Sequence, residues 1–315
     1  MDHKAFLATL PPATRTALTT RNDAAGLVHL TGHLGAILLV GALIGSGVPF
    51  WWLLLPVQGI LLIFLFTLEH ECTHKTPFAN AGLNDIVGHA CGLILMLPFR
   101  WFRYFHLAHH KWTNLPGQDP ELDAPKPQSR AAWVWHVSGL PFWGASLRLI
   151  PVLAVGGGQA AYLPPGAMAG IGREARAMLA VYAVALASLW FTPMLLWVWI
   201  VPVLIGQPFL RLYLLAEHGD CPPVANMFMN TRTTLTNRLM RALAWNMPYH
   251  IEHHVWPAVP FHRLPAAHWL MRDHLGVTAA GYVAFTRDYL ARLPRSPHPP
   301  RPDAHQQESP DDTRP

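Results

Sequence analysis

Charge is scarce in this chain. Asp, Glu, Lys and Arg make up 13% of its 315 residues, where a soluble domain carries about 25%, so a freely soluble globule is not expected. Cysteine is scarcer still. Cys72, Cys91 and Cys221 form no C-x-x-C pair, and their spacing offers no disulfide framework; they read as reduced thiols. The opening residues 1–26 contain no apolar core of the signal-peptide kind. No segment repeats at a solenoid period.

What is plentiful fits a lipid solvent. Hydrophobic residues make up 51% of the chain, with thirteen Trp and thirty Pro, a composition of interfacial anchors and interrupted segments. A net charge of +5 needs no nucleic acid, because Lys and Arg retained on a cytoplasmic face produce it. About 20 apolar residues span a bilayer as a helix. Leu27–Ser46 and Pro49–Leu68 meet that length, joined by a short uncharged link, as do Met178–Trp197 and Trp199–Ala216. The stretch Ile86–Phe99 is too short to cross and reads as re-entrant or interfacial. Leu140–Gly157 carries Arg148, Pro141 and Pro151 and reads as interfacial. Arg211, near the inner end of the fourth run, is expected to snorkel. The fold class is therefore all-α integral membrane: four transmembrane helices in two hairpins, with a cytoplasmic histidine-rich cap and interfacial helices.

Nineteen His are present, and they cluster. His70 and His74 lie in "EHECTHK", His106, His109 and His110 in "FHLAHHKWTN", and His250, His253 and His254 in "YHIEHHVWP", while His218 follows the fourth apolar run in "LLAEHGD". Residues three and four apart share a helix face, so each box aims imidazoles together. Neutral imidazole suits Fe, Cu, Ni and Zn, and ionisable groups at such depth mark function. One zinc takes three or four ligands; eight or nine candidates suit a pair of ions with open positions, and iron fits because zinc has no redox chemistry. A shared site requires an even number of crossings between His110 and His218, which the second hairpin supplies. Isolated His29 and His33 read as packing groups, and His262, His268 and His274 as solvated.

These boxes on a two-hairpin scaffold resemble the membrane fatty acid desaturase family, with its hydroxylase and ketolase relatives, over Leu27 to Ala280. The elements that carry the resemblance are His70-x-x-x-His74, His106-x-x-His109-His110 followed by "KWTN", "EHG" at Glu217 to Gly219, "NTRTT" at Asn230 to Thr234, and "NMPYHIEHH" from Asn246. The resemblance implies a non-haem centre of two Fe ions and molecular oxygen. It also implies an acyl-lipid or other long apolar substrate and an external electron donor of ferredoxin or cytochrome type. Its ligands would be His70, His74, His106, His109, His110, His218, His250, His253 and His254. Asn246 would orient a metal-bound water. Glu71, Glu217 and Glu252, with Glu69 beside them, would take N–H bonds from ligand rings; Asp85 and Asp119 are lesser candidates. The implied domains are a cytoplasmic segment 1–26, a membrane-embedded di-iron domain 27–285 and a disordered Pro-rich charged tail 286–315.

Competing readings are a hydroxylase or ketolase acting on a lipid, carotenoid or alkane, and an intramembrane zinc protease. The latter is drawn from H-E-x-x-H at His70–His74. Such a protease takes a third ligand from an L-D-G aspartate, whereas Leu122-Asp123-Ala124 lacks the glycine and both H-x-x-H-H boxes would be left without purpose. No H-P-G-G haem segment occurs, so electrons come from a partner, for which Lys111, Arg130, Arg232, Arg238 and Arg241 form a basic face. The expected location is a multi-pass position in a bacterial inner membrane, with the active site facing the cytoplasm.

Overall fold

Uninterrupted apolar runs become long helices because lipid forces every backbone group to pair within its own segment. In the computed structural model, which describes residues 2–294, two short helices, α1 (His3–Thr9) and α2 (Pro12–Thr19), precede α3 (Asp23–Gly45). The side chain of Asn22 caps α3, accepting from the N–H groups of Ala24 and Ala25. The polypeptide then turns at Gly47, φ +67°, and returns through α4 (Leu55–Ile63) and α5 (Leu65–Thr73). The return helix continues past Leu68, and so carries His70 on a membrane-length segment.

Two helix pairs are sharply bent. Between α6 (Ala81–Leu95) and α7 (Phe99–Trp112) the axis turns by 100°, and between α8 (Arg130–Val137) and α9 (Leu140–Ala154) by 52°. Met96 supplies the left-handed residue at the first corner, and Pro98 enforces extended backbone before α7. Next come α10 (Ala167–Ser188) and α11 (Val201–His218), the latter entered through a π-helical turn at Leu196–Ile200. The break after α10 falls before Pro193, not at the predicted Val198. The residue before a proline resists helical backbone, and that local rule overrides the hydropathy pattern. Among the described residues three helices are long and apolar enough to cross a membrane, Pro12–Gly45, Trp51–Thr73 and Leu196–His218; the number is five if each bent pair is one span.

The cap consists of α12 (Met227–Asn230), α13 (Arg238–Leu243), α14 (His250–Val255), α15 (Leu264–Met271) and α16 (Tyr282–Arg292). Two short parallel strands, β1 (Thr233–Thr234) and β2 (Thr278–Ala279), pair Thr233 with Thr278. One core runs from the membrane helices into the cap, joining Leu68, Phe99 and Tyr213 to Trp245, Ile251 and Leu264. His29 and His33 serve this packing: the first reaches the Ala242 carbonyl at 2.7 Å, and the second the Leu61 carbonyl at 2.8 Å. Helix α16 crosses the 285/286 boundary drawn from sequence, and the proline-rich tail lies outside the described residues from 295 onward. Arg211 does not extend freely along the helix to water; its guanidinium lies 4.7 Å over the Phe142 ring.

α4 and α11 cross in contact through Gly59 and Gly206. A Cβ on Gly59 would sit 2.3 Å from the Pro202 carbonyl oxygen, and one on Gly206 2.3 Å from that of Gly59. Close backbone approach of this kind drives helix association in lipid, where burial of apolar surface does not. Gly59→Val is expected to cost about 3 kcal/mol. The check is the thermal midpoint and monodisperse yield of detergent-extracted protein; wild-type values would contradict this close packing.

Candidate metal centre

Nine imidazoles converge where the membrane helices meet the cap. His70 and His74 come from the end of α5, His106, His109 and His110 from α7, His218 from the last residue of α11, and His250, His253 and His254 from α14. His70, His106, His109, His218, His250, His253 and His254 are all 5% exposed or less. α7 buries Phe99, Phe102, His106 and His109, a helical spacing that turns the box inward.

The rings divide into two groups, and the division does not follow the sequence boxes. One nitrogen from each of His70, His74, His106, His110 and His253 lies within 4.8 Å of the others, and His109, His218 and His254 form a second such group. His250 joins the second: its Nε2 is 3.1 Å from that of His218 and 3.1 Å from that of His254. On a helix turning about 100° per residue, positions i and i+4 nearly align while i+3 and i+4 diverge. In α7 the i, i+4 pair His106 and His110 serves the first group and His109 the second. In α14 the roles reverse: His250 and His254 serve the second group and His253 the first.

The spacing fits metal ions. Two imidazoles bound at right angles to one ion at about 2.1 Å have nitrogens about 3.0 Å apart. The structure has His74–His106 at 2.9 Å, His110–His253 at 3.2 Å and His109–His218 at 3.2 Å, all between Nε2 atoms. A ring nitrogen offers one proton or one lone pair, so the Nε2 of His250, facing two others, can bond only one of them. Both nitrogens of His70 are buried without a partner. Burial, followed by the neighbouring imidazoles, pushes His253 and His254 well below the ordinary imidazole value. They therefore stay neutral, as ligation demands.

Behind the rings stand acceptors. Asp119 places both carboxylate oxygens 3.0 Å from His109 Nδ1, and Glu121 approaches the same atom at 3.3 Å. Backbone N–H groups of Asn114 (2.6 Å) and Glu121 (2.9 Å) hold the Asp119 carboxylate in place. Burial acts to raise Asp119, but His109 and these amides outweigh it and hold the carboxyl below its usual range. His254 Nδ1 lies 3.1 Å from the Thr113 hydroxyl. Glu217 stands 3.4 Å from His250 Nδ1, and Glu71 stands 3.5 Å from His253 Nδ1, distances that orient a ring without a full hydrogen bond.

Other expected acids lie elsewhere. Glu252 faces away from the cluster, accepting from the Thr233 hydroxyl at 2.5 Å and from His268, which sequence reasoning treated as solvated. Asn246 donates to the Phe261 carbonyl at 3.1 Å and lines an open pocket with Asn22, His29 and His262; its recorded contact is with that carbonyl, not with a ligand ring. Glu69 is fully buried, and neither of its oxygens has a partner. Asp85 pairs with Lys75 at 3.5 Å. Glu71, the would-be base of a zinc protease, is sealed at 0% exposure, and its Oε2 accepts from the Thr76 hydroxyl and the Phe261 N–H, both at 3.0 Å.

Fold and site thus define a helical membrane protein with two adjoining nitrogen-rich clusters at its helix ends, each able to hold a metal ion. The model of the Fatty acid desaturase family matches residues 46–286, which is more than half of the chain, and the chain belongs to that family. Among curated relatives, sn-1 oleoyl-lipid 12-desaturase of Picosynechococcus sp. is 32% identical over 35% of this chain and 36% of its own. An omega-6 fatty acid desaturase of Glycine max is 31% identical over 34% of this chain and 27% of its own. The sn-1 acyl-lipid omega-3 desaturase (ferredoxin) of Nostoc sp. is 33% identical over 21% and 18%. The chain spans about a third or less of the length of these relatives.

Outer partners of metal-bound imidazole commonly change metal affinity 10–100-fold. Asp119→Asn is therefore expected to release metal to a competing chelator at least about tenfold more readily, whereas Asp123→Asn, at an exposed position, leaves release unchanged. Equal release from both variants would remove Asp119 from this role.

Proposed function

We propose that this chain is a membrane acyl-lipid desaturase that uses oxygen and two iron ions. The observation that carries this reading is the division of nine converging imidazoles into a set of five and a set of four. His70, His74, His106, His110 and His253 would hold one ion, and His109, His218, His250 and His254 the other. A bound iron pair supplies the oxygen chemistry needed to take hydrogen from an unactivated C–H bond. The protein's part is positional. Asp119 fixes the His109 tautomer, with Nδ1–H donated outward and Nε2 free to ligate. The Phe102 ring, 5.5 Å from that of His106, and the Phe66 ring, 6.4 Å from that of His70, form an apolar wall that excludes water and suits an acyl chain. Neighbouring methylenes differ little in binding energy, so the position attacked follows from where such a channel ends.

Convergence of the rings also supports a topology. Helix ends that share one site lie on one side of the bilayer, so an even number of crossings separates His74 from His106 and His110 from His218. Both bent pairs are then re-entrant, and α3, α4–α5, α10 and the π-turn–α11 segment make the four crossings. Lys and Arg gathered on the site's side favour a cytoplasmic face, and on this reading the chain sits in a bacterial inner membrane with its site on the cytoplasmic side. Lys111, Arg130 and Arg238 are exposed and would steer an acidic donor, of the ferredoxin type that one relative's name carries. Arg232 does not belong to this face: it is 6% exposed, bound to the Ala216 carbonyl and stacked on Phe285.

Two adjacent residues offer a test. His253→Ala is expected to remove one ion and His254→Ala the other, each leaving about one iron per chain instead of two and each abolishing turnover. Iron analysis checks the stoichiometry. Mass spectrometry of lipids from expressing cells checks the product, which should lack two hydrogens; a gained oxygen would instead mark a hydroxylase. Full iron content in either variant would break the assignment.

A further inference from the structure

The 100° corner between α6 and α7 leaves backbone groups that lipid cannot satisfy. The last carbonyls of α6 and the first amides of α7 need partners from elsewhere. The Leu97 N–H bonds the Gly92 carbonyl locally at 2.9 Å; side-chain partners come from one later stretch, α10 and the π turn that follows it. The Tyr182 hydroxyl donates to the Leu93 carbonyl at 2.8 Å, and Trp199 Nε1–H donates to the Ile94 carbonyl at 2.9 Å. On the other side of the corner, Glu174 Oε1 accepts from the Phe99 N–H at 2.8 Å and Oε2 from the Arg100 N–H at 2.9 Å. His89, on α6, places Nδ1 2.7 Å from the same Oε1, and a carboxylate only accepts, so His89 is the donor. The Glu174 side chain is 8% exposed.

We infer that Glu174 is a positioning residue for the metal centre: it fixes the start of α7 and thereby aims His106 and His110 at one ion and His109 at the other. A negative carboxylate at a helix N-terminus meets both the free amides and the positive end of the helix dipole. The same helix applies the opposite sign where the opposite sign is needed, since Arg176 donates to the Ala154 carbonyl at the end of α9 at 2.7 Å. Apolar packing of Phe99 in the core is the other hold on the start of α7. Gly92 lets the corner fold tightly, because a Cβ there would lie 2.3 Å from the Leu97 carbonyl oxygen. No residue of α7 itself caps its first turn. A shift of the first turn would carry through 14 residues of rigid helix to three ligands divided between both ions.

This inference rests on the two-ion reading, and its experiment separates the two. Wild-type, Glu174→Ala and Glu174→Gln full-length proteins are purified in detergent and compared in three ways. The first readout is amide hydrogen exchange over the start of α7. The second is resistance of bound iron to a chelator. The third is the visible absorption of cobalt(II)-loaded protein, which reports ligand geometry. Glu174→Ala is expected to raise exchange at Phe99 and Arg100, to release iron at least about tenfold faster, and to change the cobalt spectrum. Glu174→Gln, which keeps one carbonyl acceptor, should fall between Ala and wild type, and it decides the matter if the Ala variant does not fold. Variants that are merely less heat-stable, with wild-type iron retention and cobalt spectrum, would overturn the positioning role while the two-ion centre stands. A wild-type protein that takes up neither iron nor cobalt would overturn both.

Discussion

Imidazole nitrogens packed about 3 Å apart and shut off from water can pair with one another only one to one. Each offers a single proton or a single lone pair, yet the Nε2 of His250 faces two rings at once and His70 has no partner at either nitrogen. A metal ion at the centre of each group would satisfy all of its rings at once. The rest of the molecule makes sense as a device that forces the arrangement. Four separate helix ends deliver the rings, and one core binds membrane helices and cap together so that no end retreats. Glycines at 59 and 206 bring α4 and α11 into backbone contact, which sets the separation of their continuations, α5 with His70 and α11 with His218.

The interleaving of α7 and α14 follows from helical geometry alone. An H-x-x-H-H box cannot point three rings at one ion, because its last two positions diverge by about 100°. One box alone would serve one ion well and strand a ring. Two boxes used in opposite sense, with His106 and His110 on one side and His250 and His254 on the other, leave His109 and His253 to bridge outward to the partner set. The two pockets are thereby locked together, since neither α7 nor α14 can move without disturbing both.

The apolar runs that became α3 and α4–α5 were legible because nothing in them interrupts the period, and the histidine boxes were legible because i, i+4 spacing survives any tertiary context. α10 was only half legible. Its first half carries Arg173, Glu174 and Arg176, which lower its hydropathy; two of the three cap other helices, a need invisible until α7 and α9 are placed. The outer acids show the limit of adjacency. Glu71 follows His70 yet approaches His253, Glu217 precedes His218 yet approaches His250, and Glu252 precedes His253 yet binds His268. Neighbours along a helix point in different directions, so an acid beside one ligand serves a ring from another box or none. Asp119 reaches His109 only because the chain reverses through left-handed Asn114 and Gly117, which no periodicity announces.

Charge balance supplies the last constraint. On the two-ion reading, nine neutral ligands would do nothing to offset the charge of the ions, and an uncompensated charge in a pocket this dry is costly. The compensation sits one layer out. Asp119 and Glu121 face His109, Glu217 faces His250, and Glu71 faces His253, so four carboxyl groups stand behind the two sets of rings. Their distribution is uneven, with three beside the four-histidine pocket and one beside the five-histidine pocket. Nitrogen count and carboxylate count thus vary in opposite directions. On the two-ion reading, the pocket with fewer imidazoles is the one with more carboxyl groups behind its rings, and an ion there would gain the most from them.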